Sequence, residues 1–185
     1  QLRYFRDIIT FTQLSRKKKQ IIFYSENKSY WIHLSEMIFN LLEKFDISIC
    51  FISSSEDDPG LKIKHPNFSS FLIGDGALRN WFFENAEADI FVMTMPDLNQ
   101  YQVKISKHSI HYVYVHRSMV SLHMAYREGA YDFFDTMFCA GPHHKEEMKA
   151  IEKQRNLKPK NIIEHGYGRL DSIIKLHKEN KVSAK

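Results

Sequence analysis

The stretch IIFYSENKSYWIHLSEMIFNLLEKFDISICFI, residues 21–52, decides the fold class of this 185-residue chain. It opens with a short apolar run at residues 21–24 and closes with a second at residues 47–52. Between them, large apolar residues recur three and four positions apart over residues 30–45, which predicts an amphipathic helix with Ser29 as its N-cap. A strand, a helix and a strand in this order form the unit from which parallel sheets are built.

Further apolar runs of similar length follow, each bounded by polar or turn-forming residues. They predict strands at residues 68–73, 90–95, 110–115, 136–140 and 161–164. Helical patterns separate several of them, around residues 78–83, at residues 119–127 and from Pro142 onward. Strands that are apolar along their whole length are buried on both faces, as in a parallel sheet covered by helices. The predicted fold class is therefore α/β, a Rossmann-like doubly wound parallel sheet.

Length and composition indicate one globular domain with a full hydrophobic core, since 43% of the residues are apolar and 26% are charged. We predict a basic lead-in at residues 1–19, the Rossmann-like domain at residues 20–172, and a polar tail or linker at residues 173–185. No apolar stretch approaches the roughly 20 residues of a membrane-spanning helix. Cys50 and Cys139 lie within apolar runs, so we expect two buried thiols in a reducing, cytoplasmic compartment.

The glycine-rich motifs of the common nucleotide-binding sheets are absent. The first strand is not followed by G-x-G-x-x-G, and G-x-x-x-x-G-K-[ST] occurs nowhere. A nicotinamide-dependent enzyme and a P-loop NTPase are therefore disfavoured, and no cofactor is predicted. The formal charge of +4 suits anionic partners. No basic stripe interleaved with aromatic residues indicates nucleic-acid binding.

The fifth predicted strand ends at three residues that suit catalysis: His116, Arg117 and Ser118. Ligands of open parallel sheets bind beyond the carboxyl ends of the strands. An imidazole titrates near neutrality, so we expect His116 to face this cleft as the general base for an attacking hydroxyl. We expect Ser118 to cap the next helix, whose N-terminus would suit phosphate beside the charge of Arg117. The alternative for His116 is a structural role, bonded to a backbone carbonyl.

The sixth predicted strand is followed by Gly141, Pro142, His143 and His144. Two imidazoles at a helix N-terminus are kept neutral by the helix dipole. They are expected to contact a ligand, to cap the helix or to lie exposed. A zinc site needs three or four ligands, and no carboxylate stands at a useful spacing, so no metal is predicted.

The lead-in carries apolar residues at roughly helical spacing over residues 2–14, followed by four consecutive basic residues at 16–19. One interpretation is a solvated charge run ahead of the first strand. The other is a basic amphipathic segment that rests on anionic lipid headgroups.

Four blocks in the second half of the chain resemble one known family. They read HYVYVHRSMVS at residues 111–121, YREGAYD at 126–132, CAGPHHKEE at 139–147 and GYGRLD at 166–171. Together they are similar to the CDP-glycerol glycerophosphotransferase family of teichoic-acid and capsule polysaccharide synthesis, over about residues 89–172. The family commonly has His-Gly-Thr where this chain has His-Arg-Ser at 116–118, and a proline where Gly168 stands.

This resemblance implies a GT-B architecture, in which two Rossmann-like domains face a cleft and this chain is the N-terminal, acceptor-side half. The half that would hold the cytidine nucleotide is expected outside this sequence, so the chain alone is expected to be inactive. His116 occupies the place of the family's proposed catalytic base. The expected substrate-binding residues are Arg117, Ser118, Ser121, Arg127, His143, His144 and Arg169.

The expected function is transfer of glycerophosphate, or a related phosphopolyol or sugar, from a CDP-activated donor to a hydroxyl of a cell-surface polymer. The expected partners are this donor, a polymer acceptor on a lipid anchor and, through the lead-in, the anionic inner face of the cell membrane. The alternatives are another GT-B glycosyltransferase, a nucleotide-sugar epimerase domain, or a non-catalytic α/β domain that binds a ligand or partner.

Overall fold

A seven-stranded, all-parallel sheet forms the centre of the computed structural model, which describes residues 2–183. The strands follow one another along the sheet in the order β3-β2-β1-β4-β5-β6-β7, and every neighbouring pair is parallel. The predicted α/β class with a Rossmann-like, doubly wound sheet is confirmed. The strands are β1 (Ile21–Ser25), β2 (Ile49–Ser53), β3 (Phe68–Leu72), β4 (Ile90–Met93), β5 (His111–Val115), β6 (Thr136–Cys139) and β7 (Asn161–Glu164).

Helices cover both faces of this sheet. One face packs against α1 (Leu2–Gln13), α3 (Gly76–Asn85), α4 (Leu122–Ala125) and α5 (Pro142–Arg155). The other packs against α2 (Trp31–Lys44), beside which α6 (Gly168–Ser183) lies. Side chains alternate between the two faces along each strand, so the sheet contributes apolar residues to two hydrophobic cores.

The described part of the lead-in packs on the domain, so the prediction of a lead-in at residues 1–19 that precedes the domain is wrong. Ile8 and Phe11 of α1 are buried in the core. The carboxylate of Asp7 also accepts a hydrogen bond from the backbone N–H of Leu72 at 3.0 Å, which satisfies a donor on the edge strand β3. Gln1 lies outside the described residues.

The described part of the predicted tail or linker is helical, because α6 continues from Gly168 to Ser183 across the boundary predicted at residue 173. Residues 184–185 of the tail lie outside the described part of the chain. None of the helices within residues 2–183 has both the length and the apolar character that crossing a bilayer requires.

Several local predictions shift in detail. The helix predicted at residues 119–127 is only four residues long. Ser29 is not an N-cap: the side chain of Asn27 accepts from its N–H, and a short 3₁₀ turn precedes α2.

Cys50 and Cys139 are buried thiols, as predicted. Burial raises the pKa of Cys50 to about 12 and that of Cys139 to about 11, so both are protonated at neutral pH.

Candidate functional site at the carboxyl edge of the sheet

The strand order creates a topological switch point between β1 and β4, because the chain leaves these neighbouring strands in opposite directions. Open α/β sheets bind ligands in the crevice beyond the strand ends at such a point. A crevice of about 470 Å³ lies here and is lined by Glu26 after β1, Asp97 after β4 and Arg117 after β5. We call it the switch-point crevice.

Two guanidinium groups and two carboxylates line this crevice: Arg79, Arg117, Glu26 and Asp97. Arg79 of α3 has a buried Nε without a hydrogen-bond partner among the described residues, and Arg117 donates to Glu26 Oε2 at 3.0 Å. Desolvation raises the pKa of Glu26, and the charges of Arg117 and Arg79 oppose that rise. Arg127, outside the lining, lies over the ring of Tyr101 at 5.2 Å, and Asp97 interacts electrostatically with it. Guanidinium groups suit the oxygens of an anion because they present paired N–H donors.

Arg117 is held in place from three sides. Its guanidinium pairs with Glu26, and its guanidinium carbon lies 4.5 Å from the centroid of the Tyr30 ring. Its backbone carbonyl accepts a hydrogen bond from the hydroxyl of Tyr167 at 3.2 Å. A stacked and paired arginine loses little side-chain freedom when it binds a ligand, because its position is already fixed.

His116 lies at the carboxyl edge of the sheet and is among the residues that line a crevice between α2 and the start of α6, but both of its ring nitrogens are buried, so the expectation that the ring presents a base to a cleft is wrong. The residue is 2% exposed. Its ring centroid lies 4.9 Å from that of Tyr114, 5.7 Å from that of Tyr131 and 4.2 Å from that of His144. The physical reason is the alternation of β5: the ladder continues through the His116 N–H, which donates to Phe138, so the ring points to the face that α5 covers.

Burial has a chemical consequence for His116. Desolvation, with smaller contributions from His144 and His143, lowers its pKa to about 3, so the ring is neutral at physiological pH and a weak base. Neither ring nitrogen has a hydrogen-bond partner among the described residues. His143 Nε2 and the hydroxyls of Tyr114 and Tyr131 are buried beside it, and the two tyrosines interact with each other and with Tyr126. We call His116, His143, Tyr114 and Tyr131 the buried polar cluster. Each unpaired buried polar atom costs about 1–3 kcal/mol, so the fold carries this cluster at a cost in stability.

The remaining residues between β5 and α5 are engaged in structural contacts. His144 is fully buried, with Nε2 bonded to the Val120 carbonyl at 2.8 Å and Nδ1 accepting from the Ala140 N–H at 3.3 Å. Both its nitrogens are occupied, so its expected ligand contact is wrong in this conformation. Ser118 does not cap a helix, because its hydroxyl pairs with that of Tyr126 at 3.2 Å and α4 begins further along. Ser121 donates to Glu147 Oε2 at 3.1 Å and so ties α4 to α5.

A second crevice, of about 530 Å³, lies between α2 and the turn from β7 into α6. We call it the helix-side crevice. Its polar lining includes His33, Glu36 and Asn40 from α2, His165 after β7, and Asp171 from α6. Desolvation lowers the pKa of His33, and the charge of the exposed Arg169 adds to this. Within residues 2–183, no three His, Cys, Asp or Glu side chains are placed to hold a metal ion.

The predicted site residues therefore separate into three places. Arg117 lines the switch-point crevice, with Arg127 over the ring of its lining residue Tyr101, and Arg169 lies near the helix-side crevice. The other five pack between β5, α4 and α5, and His116 among them also lines the helix-side crevice: His116, Ser118, Ser121, His143 and His144. Glu26, Arg79 and Asp97 were not predicted as site residues. Glu26 follows β1 directly and Asp97 lies in the loop after β4, which is a signal that the sequence offers, whereas Arg79 lies inside a helix and has no such signal.

No protein-family model matches the chain, and searches of curated proteins and of solved structures return no similar protein. The chemistry of the site is therefore inferred from its geometry.

Proposed function

We propose that this domain binds the acceptor in the transfer of glycerophosphate, or a related phosphopolyol or sugar, from a CDP-activated donor to a hydroxyl of a cell-surface polymer. The observation that carries the proposal is the switch-point crevice, where Arg79 and Arg117 flank Glu26. The phosphate oxygens of a polyol-phosphate chain match the paired N–H donors of guanidinium groups. The sequence blocks at residues 111–121, 126–132, 139–147 and 166–171 resemble the glycerophosphotransferase family and motivate this choice of reaction, although Arg117 stands where that family commonly has glycine.

Each residue has a distinct part in this proposal. Arg79 and Arg117 each supply a guanidinium group to the lining of the crevice, and that of Arg117 is already oriented by Tyr30. Both hold the acceptor phosphate beside the crevice wall, where desolvation strengthens charge-assisted hydrogen bonds.

The proton of the acceptor hydroxyl needs a base within hydrogen-bond reach. His116 does not meet this condition, because its ring is enclosed by aromatic side chains. Glu26 lines the crevice, and desolvation raises the pKa of its carboxyl toward that of an effective base. We propose that Glu26 takes the proton while the acceptor oxygen attacks the donor phosphorus and CMP leaves.

Calorimetric titration of the 185-residue chain with sn-glycerol 3-phosphate tests the proposal. Loss of a charge-assisted hydrogen bond costs about 1.5–3 kcal/mol, so Arg79→Gln and Arg117→Gln should each weaken binding at least about tenfold. Lys64→Gln removes an equal charge from an exposed site before β3 and should leave binding unchanged. Equal affinity in all three variants, or no binding to the wild-type chain, contradicts the proposal.

We also propose that α1 brings the domain to an anionic membrane surface. Leu2, Phe5 and Ile9 are 90%, 53% and 54% exposed and lie on one side of the helix, opposite the residues that enter the core. The basic run at residues 16–19 offers less unpaired positive charge to a membrane than its four residues suggest. Arg16 pairs with Glu87 and Asp89, and the buried Lys19 also pairs with Glu87, so Lys17 and Lys18 are the two exposed charges that form no ion pair among the described residues.

Vesicle flotation tests the membrane proposal. A basic residue at an anionic surface contributes about 1 kcal/mol, and salt screens this attraction. Lys17→Ser with Lys18→Ser should therefore reduce recovery with anionic vesicles at low salt, as should Phe5→Ser with Ile9→Ser. Lys62→Ser with Lys64→Ser is the control for lost charge. Equal recovery of all proteins with anionic and neutral vesicles contradicts membrane attachment through α1.

A further inference from the structure

The helix-side crevice has a lining whose chemistry differs from that of the switch-point crevice. We infer that it binds a neutral, polyhydroxylated ligand, such as a linear polyol or a sugar. The inference deepens the proposed function and rests on it for its biological meaning, because it assigns a place to the polyol part of the acceptor. The residues that carry it are His33, Glu36, Asn40, His165 and Asp171.

Two imidazoles present free ring nitrogens to this crevice. The ring of His33 stacks on Tyr167, with centroids 5.7 Å apart and planes inclined by 30°. The ring of His165 stacks on Phe138 at 5.4 Å and 18°. These contacts fix both rings through their faces, while their nitrogens make no hydrogen bond to any residue in the described range 2–183. A neutral imidazole has one donor and one acceptor, which is the pairing that a hydroxyl group satisfies. Desolvation lowers the pKa of His33 and so favours this neutral form.

The remaining lining offers hydrogen-bond acceptors for hydroxyl groups. Glu36 and Asp171 bring two carboxylates to the crevice and Lys44 brings one cation, while the charge of Arg169 also reaches His33. Carboxylates repel an anion but accept hydrogen bonds from hydroxyl groups. Asn40 uses its amide nitrogen to bond the Glu36 carbonyl at 2.9 Å, which leaves its side-chain oxygen as an additional acceptor. Apolar side chains complete the wall and suit the carbon backbone of a polyol: Ile32, Met37, Leu41 and Phe45.

Tyr167 connects the two crevices. Its ring stacks on His33, which lines the helix-side crevice, and its hydroxyl donates to the carbonyl of Arg117, whose side chain belongs to the switch-point crevice. A polymer that alternates phosphate and polyol units would therefore meet a guanidinium site and a hydroxyl-binding site that one residue links. This arrangement assigns the phosphate and the polyol of the acceptor to separate places.

The test is an NMR titration of the 185-residue chain with ribitol, a linear five-carbon polyol, in which the ring C–H signals of His33 and His165 are followed. Both signals should move in a saturable manner. His33→Phe and His165→Phe keep an aromatic ring for stacking but remove the nitrogens, so each should weaken ribitol binding about fivefold, which equals about 1 kcal/mol. His108→Phe, at an exposed position near the amino edge of the sheet, is the matched control and should bind normally.

Two further arms separate this inference from the proposed function. With 1,6-hexanediol, which has two hydroxyls on an apolar chain, the ring signals should move little; a shift as large as that with ribitol overturns the polyol assignment. sn-Glycerol 3-phosphate is followed through the Nε–H signal of Arg117. Phosphate binding without any ribitol shift overturns the inference and leaves the proposed function standing. Ribitol binding without a phosphate response supports the inference and contradicts the proposed function.

Discussion

Replacing His116 by phenylalanine should stabilise the protein at neutral pH. Both ring nitrogens of His116 are buried without a partner, and at the low end of about 1–3 kcal/mol for each atom their removal gains about 2 kcal/mol. The larger phenyl ring is tightly surrounded by Tyr114, Tyr131 and His144, so added crowding costs about 1 kcal/mol. The expected net result is a free energy of unfolding about 1 kcal/mol above that of the wild-type chain.

The same substitution should remove part of the loss of folding stability that acid causes. The pKa of His116 is about 3 in the folded protein and about 6.5 in an unfolded chain. The unfolded state therefore binds more protons between these two values, and the stability that this group contributes is complete above about pH 6.5 and falls as the pH drops toward 3. At 1.36 kcal/mol per unit, the wild-type chain should lose about 2–3 kcal/mol from His116 between pH 7 and pH 4.5. The His116→Phe variant should not lose these ~2–3 kcal/mol of folding stability, because it lacks the imidazole.

Urea unfolding followed by circular dichroism at pH 7 and pH 4.5 measures both effects. His33 and His144 also have lowered pKa values but are present in both proteins, so the difference between the two proteins isolates His116. His108→Phe, at an exposed position, should change neither value. A variant at position 116 that is less stable than wild type at pH 7, or that has the same pH dependence, refutes the description of His116 as a neutral, unpaired core residue.

Two other predictions concern the residues that shape the carboxyl edge. Asp58 is fully buried and accepts hydrogen bonds from Ser25, Ser53 and the Gly60 N–H at 2.6, 3.0 and 3.0 Å. Asp58→Ala should lower the free energy of unfolding in urea by about 3 kcal/mol, and Asp58→Asn by less because it keeps one side-chain oxygen; equal losses would contradict the role of Asp58 as a hydrogen-bond acceptor. Gly74 has a φ of +65° and a position for Cβ only 2.8 Å from the Tyr4 ring, whereas Gly76 has a φ of +66° and open space. Gly74→Ala should therefore lower the melting temperature by several degrees more than Gly76→Ala, and the opposite order would argue against close packing of Tyr4 on this turn.

The sheet was predictable because its central strands are buried on both faces and their sequences are apolar without interruption. β7 was predicted with its observed bounds, and the other strands within one or two residues. Hydrophobic runs mark such strands well, but their ends depend on hydrogen bonds to neighbours that the run itself does not specify.

The orientation of His116 was not predictable in the same way. β5 is apolar on both faces, so its sequence does not distinguish the face that α5 covers from the other. A polar residue directly after such a strand points to a cleft or to the core depending on whether a helix covers it. Here α5 extends over the strand end, with His144 against the His116 ring.

The switch-point crevice was located only in outline from the sequence. The strand ends identified the correct edge of the sheet, and Arg117 was selected from them. Arg79 reaches the crevice from α3, a distant part of the chain, so its role depends on how that helix packs. The shortness of α4 also depends on contacts that the sequence pattern does not reveal. The Ser118 hydroxyl contacts that of Tyr126, and Gly129 forms a turn with a φ of +86°, so the chain is not helical on either side of α4.

A crystal structure of the 185-residue chain soaked with sn-glycerol 3-phosphate shows whether the switch-point crevice binds the phosphate of the acceptor. We expect a phosphate between Arg79 and Arg117, with guanidinium nitrogens about 2.7–2.9 Å from its oxygens. The glycerol hydroxyls should lie toward Glu26. Phosphate bound elsewhere, or an Arg117 that still pairs only with Glu26 at saturating ligand, would contradict the assignment of this crevice to the acceptor.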